Sequence, residues 1–296
     1  MEDVLVRGTV GDARVYAVTT THLTQYMNET HKLSPVAAAA LGRACAGALM
    51  MAATMKDNEG VTLRFKGNGP LGQVLADATG YTVRGFVQHP QVMLPSKNGK
   101  LDVGGGVGKD GLLIVTRIPE KGAPFTGCSL LKSGEIADDL TKYLFDSEQT
   151  PSVVALGVLV NPDCSIAASG GFFVQPLPGA TDDFLEALEH NVMSLPPVTE
   201  MLKQGHTAED IIRIVGKGMT VDILDSHPVS FHCSCSREGV ERMIEGLPDK
   251  EFEAMLKDPK TEVTCHYCGR HYLFTPEELR ALPRKPRKEN DAKAVK

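Results

Sequence analysis

Phe231-His232-Cys233-Ser234-Cys235-Ser236 and, further on, Cys265-His266-Tyr267-Cys268 decide how the C-terminal part of this chain is built. Two close cysteine pairs are separated by 29 residues. Brought together they offer four thiolates, the soft tetrahedral donor set that Zn²⁺ prefers, across a loop of ordinary size for a zinc module. One zinc ion per chain, held in the reduced state by Cys233, Cys235, Cys265 and Cys268, is therefore expected. His232, His266 and His271 lie close enough in sequence to replace one sulfur, but each sits beside a better ligand, so the four-sulfur set is preferred. Four thiolates also fill the coordination shell, which argues against a hydrolytic zinc enzyme, since that needs an open position. The first pair is C-x-C. A disulfide between i and i+2 closes a very small ring and is expected to be strained, and strained disulfides tend to be labile or regulatory.

Outside that region the chain is ordinary. Its 296 residues, 42% hydrophobic and 23% charged, suit one large globular domain or two unequal ones. Lys plus Arg number 31 against 37 Asp plus Glu, a net charge of −6. That sign gives no general attraction to nucleic acid or to anionic membrane surfaces, and neither is expected as a partner. Met1-Glu2-Asp3 does not open a secretory signal. The stretch Ala44 to Met55 reads as too short to cross a bilayer, so the expected location is cytoplasmic. There, thiols are kept reduced. Cys45, Cys128 and Cys164 are scattered and have no neighbours capable of making a site; Cys45 and Cys128 read as small buried hydrophobes. His22, His31, His89, His190 and His206 are isolated and receive no role.

The first 179 residues read as a strand-rich α+β domain with buried helices. Residues 13–20, 61–66, 81–87, 112–118, 152–160 and 166–174 have strand patterns; in one, Val61, Leu63 and Phe65 alternate with Thr62, Arg64 and Lys66. Ser34-Pro35 opens a helix to about Met55 that is apolar on every side and should be buried. A second helix is expected from Ser133, as its cap, to Phe145. In Gly104-Gly105-Gly106-Val107-Gly108-Lys109-Asp110-Gly111, Val103 and Asp110 stand where a P-loop needs Gly and Ser or Thr, so that reading fails. The run also matches the dinucleotide pattern, yet an apolar β-branched run follows instead of a helix, so a hairpin turn is expected.

Residues 180–227 read as a helical linker, with helices near Asp183–Val192 and Val198–Lys203 and a third opened by the capping box Thr207-Ala208-Glu209-Asp210 and closed near Gly216. Such short helices depend on docking. Residues 228–296 form the small zinc-binding domain, nearly balanced in charge at 13 basic and 12 acidic residues, with a basic tail, Arg284-Lys285-Pro286-Arg287-Lys288, read as a solvated end.

Fewer than 70 residues do not easily stand without a metal. Zinc ties the ends of the 29-residue stretch together, and in small modules its binding energy, on the order of 10–16 kcal/mol, is folding energy. Oxidation that joins neighbours would replace this long-range clasp by two tiny loops, melt the module and destabilise the helical linker. Cross-pairing would keep the long loop, and four cysteines allow three pairings.

These residues resemble one family closely, the redox-regulated 33 kDa chaperonins, also called heat-shock protein 33. Beyond the cysteine pairs, the matching stretches are Ser133-Gly134-Glu135-Ile136-Ala137-Asp138-Asp139-Leu140-Thr141, Ser147-Glu148-Gln149, Gly170-Gly171-Phe172 with Gln175, and Leu177-Pro178-Gly179-Ala180. Tyr272, Phe274 and Leu279 also fit. The resemblance implies an ATP-independent holdase that is inactive when reduced and zinc-bound. Oxidative stress forms two disulfides, releases zinc, unfolds the C-terminal region and linker, and favours an active homodimer that binds unfolded or oxidatively damaged client proteins. Carried over by motif, the disulfides join Cys233 to Cys235 and Cys265 to Cys268. The extra thiols Cys45, Cys128 and Cys164 lie outside the motif. The competing classes are a zinc ribbon that binds nucleic acid and a thiol-disulfide enzyme. The first lacks a basic, aromatic face, and the second would show turnover of a small disulfide; no enzymatic activity is expected.

Overall fold

The computed structural model describes residues 2–56 and 58–284; the basic tail from Lys285 onward lies outside them. The chain folds as two compact units that divide between His232 and Cys233.

The first unit runs β1 (Val4–Val10), β2 (Ala13–Thr19), α1 (Thr21–His31), α2 (Pro35–Ala52), β3 (Gly60–Lys66), β4 (Gln73–Thr79), β5 (Thr82–Val87), α3 (Val103–Val107), β6 (Leu112–Ile118), β7 (Phe125–Leu130), α4 (Ala137–Asp146), β8 (Val153–Val160), β9 (Ile166–Pro176), α5 (Asp182–Met193), α6 (Val198–Lys203), α7 (Ala208–Val215), β10 (Val221–Pro228) and β11 (Ser230–Phe231). One sheet has the order β10-β1-β2-β9-β8, the other β11-β5-β4-β3-β6-β7. All pairings are antiparallel except β11 with β5.

Helix α2 explains the architecture. Ser34 accepts a hydrogen bond from Ala37 N–H and Pro35 begins the helix, as the sequence requires. It packs against β2, β8 and β9 of one sheet and β3, β4 and β5 of the other, so an all-round apolar surface is buried all round. At 18 residues it is long and apolar enough to cross a membrane by composition, and 89% of it is buried inside the protein. This corrects the expectation, drawn from Ala44–Met55, that no such stretch exists. Around it Val61, Leu63 and Phe65 of β3 point into the main core while Arg64 and Lys66 face solvent.

The five-stranded sheet is apolar on both faces. Leu5, Tyr16, Val18 and Phe173 join the α2 core. Their neighbours Val6, Val15, Ala17, Phe172 and Val174 face a second core, closed by Leu188 of α5, Met201 of α6 and Ile211, Ile212 and Val215 of α7. The three expected linker helices form, with Thr181 and Thr207 as caps, and lie on this sheet face. The registered pair Gly157 and Gly170 leaves no room for side chains. A Cβ at Gly157 would stand 2.7 Å from Thr199 Cγ2 of α6, and one at Gly170 would collide with the Val18 carbonyl oxygen of β2 and stand 3.1 Å from Leu202 Cδ1 of α6.

Three local expectations are corrected. Residues 221–227, expected within the helical linker, form most of β10; Val221 and Ile223 alternate with the exposed Asp222 and Leu224, a period of two. The Gly-rich run is a short helix, α3, because Asp102 accepts from Gly105 N–H and Val103 and Val107 bury one turn apart; only Gly108, at φ 80°, keeps the left-handed turn conformation. Helix α4 begins at Ala137 instead of Ser133. The fully buried Asp139 carboxylate accepts from the backbone N–H groups of Lys132 (2.6 Å), Ser133 (3.0 Å), Gly134 (3.3 Å) and Ile136 (3.3 Å), which winds residues 132–136 into a loop.

The second unit contains α8 (Arg237–Glu245), α9 (Asp249–Met255), the hairpin β12 (Thr261–Thr264) and β13 (His271–Phe274), and α10 (Pro276–Ala281). Its core is Ile244, Phe252, Tyr272, Phe274 and Leu279. Arginines lie over two of these rings, Arg237 at 4.3 Å from Phe274 and Arg284 at 4.0 Å from Phe252. A capping box between Thr275 and Glu278 starts α10.

Candidate metal centre

The turn joining β12 to β13 carries one cysteine pair. Cys265 N–H donates to Arg270 C=O and Gly269 N–H to Cys265 C=O, each at 2.9 Å. Gly269 takes φ 69°, where a side chain would be strained. The curl brings Cys265 and Cys268 together. The other pair lies on the segment just ahead of α8, where Ser236 accepts from Gly239 N–H and caps the helix.

The four sulfurs meet. Cys233 Sγ lies 3.8 Å from Cys265 Sγ, Cys235 Sγ lies 3.4 Å from Cys268 Sγ, and all four are within 4.8 Å of one another. Sulfurs on a tetrahedron with Zn–S bonds of about 2.3 Å stand about 3.8 Å apart, so the donor set fits a thiolate-bound dication. All four residues are half-buried, and Cys235 and Cys265 pack against the unit's core. This proximity does not select among the three possible disulfide pairings.

Protonation shows why such a set wants a cation. Burial opposes charge on Cys235, but hydrogen bonds from the Tyr272 hydroxyl and the neighbouring thiols outweigh it and bring its pKa down to about 7. Burial, together with hydrogen bonding to Cys235, pushes Cys268 up to about 12, and burial raises Cys265 as well. Burial and crowding thus oppose four thiolates at once, and a bound dication would stabilise them.

No histidine joins the cluster among the described residues. His271 Nδ1 is engaged by the Glu262 carboxylate and by Thr264 Oγ1 at 3.2 Å, and His232 donates its backbone N–H to Val83 C=O on the first unit's sheet. Cys45 is buried in α2, 3.7 Å from Met27 Sδ, and burial raises its pKa. Cys128, expected to be buried, is exposed: β7 is an edge strand on which Ser129 turns inward, so Cys128 turns out. Cys164 is exposed in its turn at φ 67°. Sequence reasoning missed Tyr272 as a partner of Cys235; its only signal was a fit to the family pattern.

Residues 3–275 match the family model described as Hsp33 protein. The chain is 44% identical over 288 residues to the 33 kDa chaperonin of Desulforamulus reducens, covering 95% of this chain and 97% of that one. It is 43% identical over 275 residues to the 33 kDa chaperonin of Geobacter sulfurreducens, covering 92% and 91%. The crystal structure of the 33 kDa chaperonin (heat shock protein 33 homolog) from Thermotoga maritima superposes with a TM-score of 0.88 at 34% identity, over 95% of this chain and 98% of that one. With an α+β fold, a clustered set of four C-terminal cysteines and this similarity across nearly its whole length, the chain belongs to the Hsp33 family of 33 kDa chaperonins.

Proposed function

We propose that the protein is a redox-regulated, ATP-independent holdase of the cytoplasm, without enzymatic activity, that binds unfolded or oxidatively damaged proteins and prevents their aggregation. Its functional parts are a core domain built on residues 1–179 and completed by β10 and β11, a metastable linker whose helices are α5–α7, and a redox-switch domain that begins at Cys233. The observation that carries the reading is the convergence of four sulfurs in a unit whose own core is five side chains.

In the reduced state Cys233, Cys235, Cys265 and Cys268 hold one zinc ion, which when bound neutralises the thiolates and ties the two chain segments together. Oxidation removes the donors. With a peroxide, one thiolate attacks oxygen, the O–O bond breaks and hydroxide leaves; the neighbouring thiolate then displaces a second hydroxide from the sulfenic acid and forms the S–S bond. Each disulfide thus takes two electrons from two thiolates. Pairing Cys233 with Cys235 and Cys265 with Cys268 leaves no long-range clasp, zinc departs and the module loses its fold.

The sheet face covered by α5–α7 gives the consequence a surface. Val6, Val15, Ala17, Phe172 and Val174 stay buried only while those short helices remain docked. Once the linker opens, this face and the apolar sides of the helices bind clients, and the oxidised form acts as a homodimer. Nucleic acid and membranes are not partners.

Peroxide treatment should release about one zinc per chain, in step with nucleotide-independent suppression of client aggregation. Retained zinc with no suppression would refute the reading. Peptide mapping of the oxidised chain should find the two neighbour pairs, and cross-pairing such as Cys233 with Cys268 would sink the melting step.

A further inference from the structure

Tyr272 stands on β13 with its ring in the core of the C-terminal unit and its hydroxyl 3.1 Å from Cys235 Sγ. The hydroxyl is the donor. The exposed Arg270, in the turn ahead of β13, reaches instead toward the Cys235 backbone carbonyl, with Nη1 3.5 Å from it. The donor to the Cys235 sulfur is thus one side-chain atom, which a substitution can delete while the ring keeps its packing.

We propose that Tyr272 is the positioning residue of Cys235. The hydroxyl holds the Cys235 sulfur toward the other three, which strengthens metal retention, and it withdraws charge from the thiolate, which lowers Cys235 nucleophilicity. The proposal rests on the zinc reading of the centre, but it concerns a residue outside the donor set and can fail separately.

The test uses the full-length chain loaded with one equivalent of Zn²⁺ or Co²⁺, comparing wild type with Tyr272→Phe and Arg270→Ala. The Phe variant should lose metal to a competing chelator with an affinity about tenfold weaker, at the lower end of the effect of removing an outer-shell partner. Alkylation by N-ethylmaleimide, read by peptide mapping, should accelerate at Cys235 relative to Cys233, Cys265 and Cys268. The sulfur-to-cobalt charge-transfer band should shift, a signature that loosened packing alone would not move. Arg270→Ala removes only the contact to the Cys235 backbone carbonyl and keeps the hydroxyl, so its alkylation pattern should match wild type. If Tyr272→Phe does not fold, exchange of the Tyr272 hydroxyl proton in the zinc-loaded wild type decides: slow exchange supports the bond and fast exchange overturns it. Metal affinity and an alkylation pattern equal to wild type in a folded Tyr272→Phe chain would overturn the role of Tyr272. A wild-type chain that retains neither metal would overturn the zinc reading, and the proposal with it.

Discussion

The two units of this chain are held together by different means. Among the described residues, the main core of the first holds 44 buried side chains, 14 of them from α2 itself. The core of the second holds five, around a hairpin and three short helices. A core that small rarely stabilises a domain of under about 70 residues by more than about 3–5 kcal/mol. A metal held by four sulfurs is the natural complement. The contrast teaches that one chain can contain a region held by its own apolar core and another that, on the proposed reading, depends on its thiols to stay folded. Within the first unit, α5–α7 cover an apolar sheet face, so loss of local order there has a surface to expose.

The contrast is broken most severely at the cysteines themselves. Cys265→Ser should unfold the C-terminal unit, with hydrogen exchange across residues 237–281 losing protection while β3–β6 remain protected. Protection retained in α8–α10 would show that the five-residue core suffices. Within the first unit the largest single-residue effect is expected at Asp139. Asp139→Ala leaves four backbone N–H groups without their acceptor and should cost roughly 3–4 kcal/mol in thermal or urea unfolding of that unit. The metal affinity of the C-terminal unit should stay unchanged.

Much of this was legible beforehand. The four-cysteine cluster could be read because its donors are chemically distinctive and close in sequence, and α2 and α7 could be read because Ser34-Pro35 and Thr207-Asp210 carry their own start signals. Strands β1, β4 and β10 and helix α1 were not identified. Strand β10 is defined by pairing with β1, more than 200 positions away, and its local polarity reads as loop. The start of α4 was misplaced because a buried carboxylate competes for the N–H groups of the expected first turn. Cys128 was misplaced because inward or outward orientation on an edge strand is set by register, which composition does not contain.

Smaller effects sharpen the contrast at the linker. Gly157→Ala sets a methyl 2.7 Å from Thr199 Cγ2 and should weaken docking of α6 by about 1–3 kcal/mol. Greater binding of a hydrophobic dye by the reduced protein, with zinc still bound, is the expected readout, and unchanged dye binding would show that α6 does not guard the sheet face. The smallest effect belongs to the strand that follows the linker. Arg7 grips Asp225 through Nε at 2.8 Å and Nη2 at 2.6 Å, tying β10 to β1, and a double-mutant cycle on this pair should give about 0.5–1 kcal/mol. The Arg7 hydrogen bonds hold the Asp225 carboxyl below its usual pKa, against a smaller opposing effect of burial. The folded pKa is depressed, so the stabilisation is complete above the unfolded value near about 3.9 and is lost as pH falls through the folded one. Acid titration of β10 exchange protection in wild type and Asp225→Asn checks the sign.

The most direct test of the central claim follows zinc release and far-UV circular dichroism together while the reduced, zinc-loaded protein is oxidised by peroxide. The account predicts that about one zinc per chain leaves as helical signal from α5–α10 is lost, with the sheet signal of the first unit unchanged. Complete zinc release with no loss of helical signal would contradict it.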